Sequence, residues 1–233
     1  MKNASESAVM CGETDVNGVA AELNRGNRVL LMVRHAERPK IASDDPTFGM
    51  TLPLTEAGKD MSYTFGTLLK PYAAVTQFMA SPLLRTRMTA ECIARGMGIE
   101  NPIIPADDFL GNSTPYFADQ HAVFELFRDG GFFEKIFDYM REGRQVGFCE
   151  LYEATDRLEA WCAEKFTAQL GIFTTHDLYN CAFLYARGVV KQFSRENWTR
   201  FLDSAAIVFE PSGARRYLFV RANLSDGITG VES

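Results

Sequence analysis

The sequence predicts an α/β fold with a mostly parallel central sheet and a helical insertion over the sheet's carboxyl edge. Three observations predict it. Short apolar runs at 29–33 and 171–175 read as buried strands, and 73–80 as a further strand, alternating with helical patterns. From about 107 to 169 the pattern is helical with no clear strand. Residues 205–209 and 217–221, joined by Pro211-Ser212-Gly213, read as an antiparallel hairpin at the sheet edge.

Taken in order, residues 1–27 are polar and lack the apolar segment of a signal peptide, so they read as a flexible leader with a short helix near 19–23. The strand at 29–33 ends in Arg34-His35. Residues 36–54 carry Pro39, Pro46 and Pro53 and read as a broken loop. Thr55 is a suitable N-cap for a helix running to about Lys70, where Pro71 stops it. After the strand at 73–80, Ser81-Pro82 reads as the cap and first residue of a second helix, which Gly96 and Gly98 end. A short strand is expected near Ile103-Ile104. The strand at 171–175 ends in His176, and a helix is expected over 178–188. Residues 28–233 are read as one domain, with the insertion as a cap.

Composition narrows the function classes. Hydrophobic residues make up 46% of the 233-residue chain, ordinary for a globular protein, and no stretch approaches the roughly 20 apolar residues of a membrane span. The five cysteines are odd in number and scattered without a CxxC pair, which argues against a disulfide framework or a zinc site and for a reducing cytoplasm. A net charge of −6 argues against nucleic acid as a partner. No metal and no cofactor is expected, and the oligomeric state is not legible.

Of only three histidines, His35 and His176 follow apolar strands. In open α/β sheets ligands bind outside the carboxyl ends of the strands. Arg34 flanks the first histidine, Asp177 the second, and Arg85 lies in the first turn of the helix after a third strand. These ends can bring two imidazoles, two arginines and a carboxylate to one rim. A neutral imidazole is a good nucleophile near neutral pH. Arginine forks hold phosphate oxygens and spread transition-state charge, and a carboxylic acid can protonate a departing alkoxide.

These residues resemble the histidine phosphatase superfamily, also called phosphoglycerate mutase-like. Arg34-His35-Ala36-Glu37 is similar to its Arg-His-Gly-Glu signature. Leu54-Thr55-Glu56-Ala57-Gly58 is similar to its Leu-Thr-x-x-Gly element. Ser81-Pro82-Leu83-Leu84-Arg85-Thr86 and Thr89-Ala90-Glu91 are similar to the helix that supplies a second arginine. His176-Asp177 is similar to the His-Asp pair of the acid phosphatase branch, whereas the short chain looks more like small bacterial members. Arg38-Pro39-Lys40 departs from the Ser-x-Trp-Asn stretch of the mutases.

The resemblance implies a sheet with helices on both faces and a metal-independent phosphomonoesterase acting on a small phosphorylated metabolite or sugar phosphate. It also implies roles. His35 is the nucleophile; Arg34, Arg38, Arg85 and His176 grip the phosphoryl oxygens; Asp177 is the proton donor, with Asp107, Asp108 and Glu125 as rivals. Asn180 and His121 are candidate substrate contacts. Glu37 reads as a structural neighbour, Arg87 and Glu91 as surface residues, and Phe124, Phe127, Phe132, Phe133 and Phe137 as packing. Two other readings stay open: a protein phosphohistidine phosphatase, and a phospho-ligand binding protein without turnover.

Overall fold

The computed structural model describes residues 12–42, 49–111, 115–128 and 130–224. Among the described residues six strands form one sheet: β1 (Gly12–Asp15), β2 (Arg28–Arg34), β3 (Thr76–Ala80), β4 (Leu170–Thr175), β5 (Ser204–Phe209) and β6 (Arg215–Arg221). Their order is β1-β6-β5-β2-β4-β3. The pairs β2–β4, β3–β4 and β1–β6 are parallel and β2–β5 and β5–β6 antiparallel, so the sheet is mixed and mostly parallel.

Strand β2 shows why helices cover both faces. Successive side chains of a strand point to opposite sides. Val29, Leu31 and Val33 pack in one apolar layer with Phe65, Leu69 and Ile93, from α2 (Glu56–Leu69) and α3 (Leu84–Gly96). Leu30 and Met32 pack in the other with Leu158, Cys162 and Phe183, from α6 (Leu151–Lys165) and α7 (Asp177–Ala186). A strand buried on both sides reads as a continuous apolar run, which is how it stands in the sequence.

Helices α2 and α3 cross closely because glycines meet at the crossing. A Cβ on Gly66 would lie 2.1 Å from the Ile93 carbonyl oxygen, and one on Gly96 would lie 2.0 Å from that of Tyr63. Thr55 caps α2 as expected, its Oγ1 accepting from the Gly58 amide at 2.9 Å.

Several expectations are corrected. Residues 12–24 are not a flexible leader: β1 pairs with β6, and α1 (Val16–Asn24) buries Val16, Val19 and Leu23 against the sheet behind an Asp15 N-cap. Residues 1–11 lie outside the described residues, as do 43–48 of the loop with Pro46. Because β1 covers β6, the β5–β6 hairpin is not at the edge. No strand forms at 103–104; Ile103 is exposed, and the segment makes only one isolated bridge, Ala80 to Ala106. Ser81 does not cap α3, which begins after Leu83, because its hydroxyl is used elsewhere. Between α3 and β4 lie a short 3-10 turn (Asp108–Leu110), α4 (Gln120–Arg128), α5 (Phe132–Glu142) and α6. Of these helices α6 belongs to the layer packed on the sheet, since Leu151, Ala154, Leu158 and Cys162 are fully buried there.

Candidate active site

Register builds the site. Arg34 pairs with Thr175, and Ala80 with Thr174, so the residues that leave β2, β4 and β3 emerge on one rim. The His35 amide donates to the Thr175 carbonyl at 2.9 Å and the Ser81 amide to that of Thr174 at 3.0 Å. This carries the ladder one residue past each strand and fixes His35 beside His176. Their ring centroids are 5.4 Å apart in an edge arrangement.

The loop after His35 is clamped from two sides. Thr89 Oγ1 on α3 accepts from the Ala36 amide at 3.0 Å and donates to the Arg85 carbonyl. The Thr55 amide and hydroxyl reach the Glu37 carbonyl and carboxylate, the latter at 2.8 Å. Gly58 is required here, because a Cβ would lie 2.2 Å from the Glu37 carbonyl oxygen. Glu37 is thus a brace, and Arg87 and Glu91 are exposed on α3.

His35 is 3% exposed and its Nδ1 lies 2.8 Å from the Ala36 carbonyl oxygen. A carbonyl only accepts, so Nδ1 carries the proton and Nε2 keeps its lone pair. Burial, reinforced by repulsion from Arg85, His176 and Arg34, holds the His35 pKa well below that of an ordinary histidine. His176 is likewise depressed, by burial and then Arg85, with Asp177 opposing. Its Nε2 lies 3.0 Å from Ser81 Oγ, which meets Thr86 Oγ1 at 2.8 Å.

Arg34 is nearly fully buried. It donates to the Thr199 carbonyl at 2.7 Å, pairs with Asp177 at 3.1 Å and lies 4.6 Å from the centre of the Phe201 ring. Arg85 donates to the Gly49 carbonyl and Arg38 to the Pro39 carbonyl, at 2.7 and 2.8 Å. Asp177 Oδ2 also accepts from Trp198 Nε1 at 3.2 Å, and Oδ1 from the Leu178 amide at 2.8 Å. Burial pushes the Asp177 pKa up, but Arg34, the Trp198 indole, the Leu178 amide and His176 outweigh it and leave it below the usual carboxylate range.

A cavity of about 610 Å³ joins these groups. Arg34, His35, Arg38, Arg85, His176 and Asp177 all line it. Asn180 and His121 do not. Asn180 is fully buried, with Nδ2 donating to the Asp203 carbonyl at 3.3 Å, and His121 is exposed on α4. Asp107, Asp108 and Glu125 are also absent from the lining; Asp107 caps the 3-10 turn and Glu125 is paired with Arg128. Phe127, Phe132, Phe133 and Phe137 pack against the core as expected, and Phe124, Phe127, Phe132 and Phe133 also face the cavity. Trp198, Phe201, Ser81 and Thr89 had not stood out in the sequence. Ser81 and Thr89 lie inside recognised motifs, but Trp198 and Phe201 sit in an irregular segment with no local signal.

The depressed histidines have a measurable consequence for stability. Below about pH 6.5 the unfolded chain takes up protons that the folded chain refuses, so stability falls as pH falls, by at most about 1.4 kcal/mol per pH unit for each histidine. The urea midpoint is expected to drop between pH 7 and pH 5.5, and to drop less in His35→Ala. A midpoint that does not move would contradict the buried, neutral state of both rings.

Comparison with known proteins gives one family. Residues 30–109 match the sequence model of the Histidine phosphatase superfamily (branch 1). Among solved structures, the chain is similar to a mycobacterial glucosyl-3-phosphoglycerate phosphatase solved with inorganic phosphate, at 14% identity and a TM-score of 0.55 over 85% of this chain and 98% of that one. It is similar to a protein described as mycobacterial hydrolase 2, at 15% identity and 0.56 over 88% and 94%. It is also similar to a phosphoglycerate mutase from Bacillus anthracis, at 14% and 0.51 over 81% and 90%. These likenesses show a shared fold. No curated protein sequence matches the chain.

Proposed function

The segment 30–109 belongs to the histidine phosphatase superfamily, and from that premise we propose that this protein hydrolyses phosphomonoesters through a phosphohistidine formed on His35. The observation that carries the proposal is the state of His35: neutral, with Nδ1 committed to the Ala36 carbonyl, in a cavity shared with Arg34, Arg38 and Arg85.

The chemistry is a double displacement. His35 Nε2 attacks phosphorus in line, the ester P–O bond breaks, and Asp177 gives its proton to the leaving oxygen. Water then attacks phosphorus, Asp177 takes back a proton, the P–N bond breaks, and inorganic phosphate leaves. The three arginines and His176 hold the phosphoryl oxygens and offset the charge that grows in each transition state. Asp177 must be protonated in the first step, although without ligand its pKa is depressed. A bound phosphoryl dianion competes for Arg34 and adds negative charge beside Asp177, and both effects raise that pKa. The substrate is a small phosphorylated molecule; a phosphometabolite fits this reading, and no feature of the site favours a phosphorylated protein over it.

Because arginines supply the positive charge, turnover of nitrophenyl phosphate is expected to be undiminished by EDTA. Complete loss on chelation, restored by a divalent ion, would overturn the proposed chemistry. An absence of turnover with nitrophenyl phosphate binding intact would favour the phospho-ligand binding reading.

A further inference from the structure

Beyond the phosphate-binding residues, much of the cavity lining is aromatic. Phe124 and Phe127 of α4 and Phe132 and Phe133 of α5 face the cavity, with Trp198 beside them. These rings also support one another: Phe127 to Phe132 at 5.0 Å, Phe132 to Phe133 at 5.5 Å, and Phe133 to Trp198 at 5.3 Å between centroids. Glu134 and Arg195, which also line the cavity, are bonded to each other at 2.6 Å and half exposed, with the guanidinium 4.9 Å from the centre of the Phe133 ring.

We propose that this cavity takes a phosphomonoester whose alcohol portion is bulky and apolar, an aliphatic chain or ring system, in preference to a sugar phosphate. The inference rests on the phosphatase reading above and specifies its substrate class. The cavity volume lies within the range of sites that enclose a drug-sized ligand, far more than a phosphoryl group alone occupies. Asp177, the proposed donor to the leaving oxygen, is bonded to Trp198, whose ring packs on Phe132 and Phe133, so an alcohol portion that leaves beside Asp177 lies next to the aromatic rings. Apolar surface buried there is favoured by the hydrophobic effect and by contact with ring faces. Sugar hydroxyls placed against the ring faces would lose water without gaining partners from the rings, and Glu134 and Arg195, which also line the cavity, are already bonded to each other, which selects against them. Trp198 belongs to both halves of the site, since its ring packs in the aromatic cluster while its Nε1 holds Asp177.

A homologous series of n-alkyl phosphates tests this, because the leaving-group pKa is nearly constant along it. The value of kcat/KM is expected to rise from ethyl to octyl phosphate by roughly fourfold for each methylene buried, until the cavity is filled, and to exceed that for glucose 6-phosphate. In Phe127→Ala and Phe133→Ala, with folding checked by thermal unfolding, the rise along the series is expected to flatten. A flat series in the wild type, or a preference for glucose 6-phosphate, would overturn the substrate class and leave the phosphatase reading standing. If no ester in the set is turned over, the phosphatase reading fails. Calorimetry then decides the cavity alone: octyl phosphate binding no tighter than ethyl phosphate would overturn it, and a rise in affinity with chain length would support it.

Discussion

Alanine in place of His35 is expected to abolish phosphomonoester turnover, with a loss of at least about 10⁴-fold, the scale on which removing a covalent nucleophile acts. The argument rests on geometry that leaves the ring one open nitrogen. Nδ1 is tied to the Ala36 carbonyl, and the pKa is held low by burial and by the surrounding arginines, so Nε2 is unprotonated throughout the neutral range. Acid-labile phosphate should be trapped on the wild-type protein during turnover and not on the variant. Phosphate affinity should fall far less, because the arginines remain. Normal turnover by His35→Ala would overturn the central proposal.

Asp177→Asn is expected to slow hydrolysis of alkyl phosphates by roughly 10²–10⁴-fold, the usual range for losing a general acid. Asparagine keeps an oxygen that can accept from Trp198, so the change is chiefly one of charge and proton. Three consequences separate a proton donor from a merely structural carboxylate. The loss should shrink for nitrophenyl phosphate, whose leaving group needs little protonation. The wild-type rate on alkyl esters should peak on the acid side of neutral, since the carboxyl must be protonated in the complex. The variant should lose the limb of that profile that falls as pH rises. If Asp177→Asn leaves alkyl phosphate hydrolysis intact while Asp107→Asn, Asp108→Asn or Glu125→Gln abolishes it, the donor lies between β3 and β4. Those three carboxylates do not line the cavity.

How much of this was legible in the sequence depended on how local the signal was. Strands β2 and β4 are buried on both faces, so their apolar runs stand out, and the histidines that follow them mark the rim. Helix α2 carries its own start signal in Thr55, and Gly58 behind it allows the close approach to Glu37. Strand β1 was hidden because Gly12-Glu13-Thr14-Asp15 has no apolar side chain and is held by backbone pairing to a distant segment. The helical spacing of the phenylalanines in α4 and α5 announces their packing, whereas the cavity that four of them also line is set by the tertiary arrangement. Trp198 escaped notice for a related reason: its bond to Asp177 spans 21 positions and leaves no periodic trace.

The placement of β1 bears on the order in which the molecule assembles. Gly12 pairs with Leu218 and Asp15 with Arg221, so nearly the whole described chain separates the partners. Contacts so remote in sequence carry a large closure entropy and form late. During synthesis β2 must wait for β4, and β1 must wait longer still, until β6 has left the ribosome. The nascent chain therefore holds its first strand unpaired while the layers around β2, β3 and β4 consolidate. The edge that closes last is the one with the shortest run of paired residues, so it is also the place where the finished sheet opens most readily.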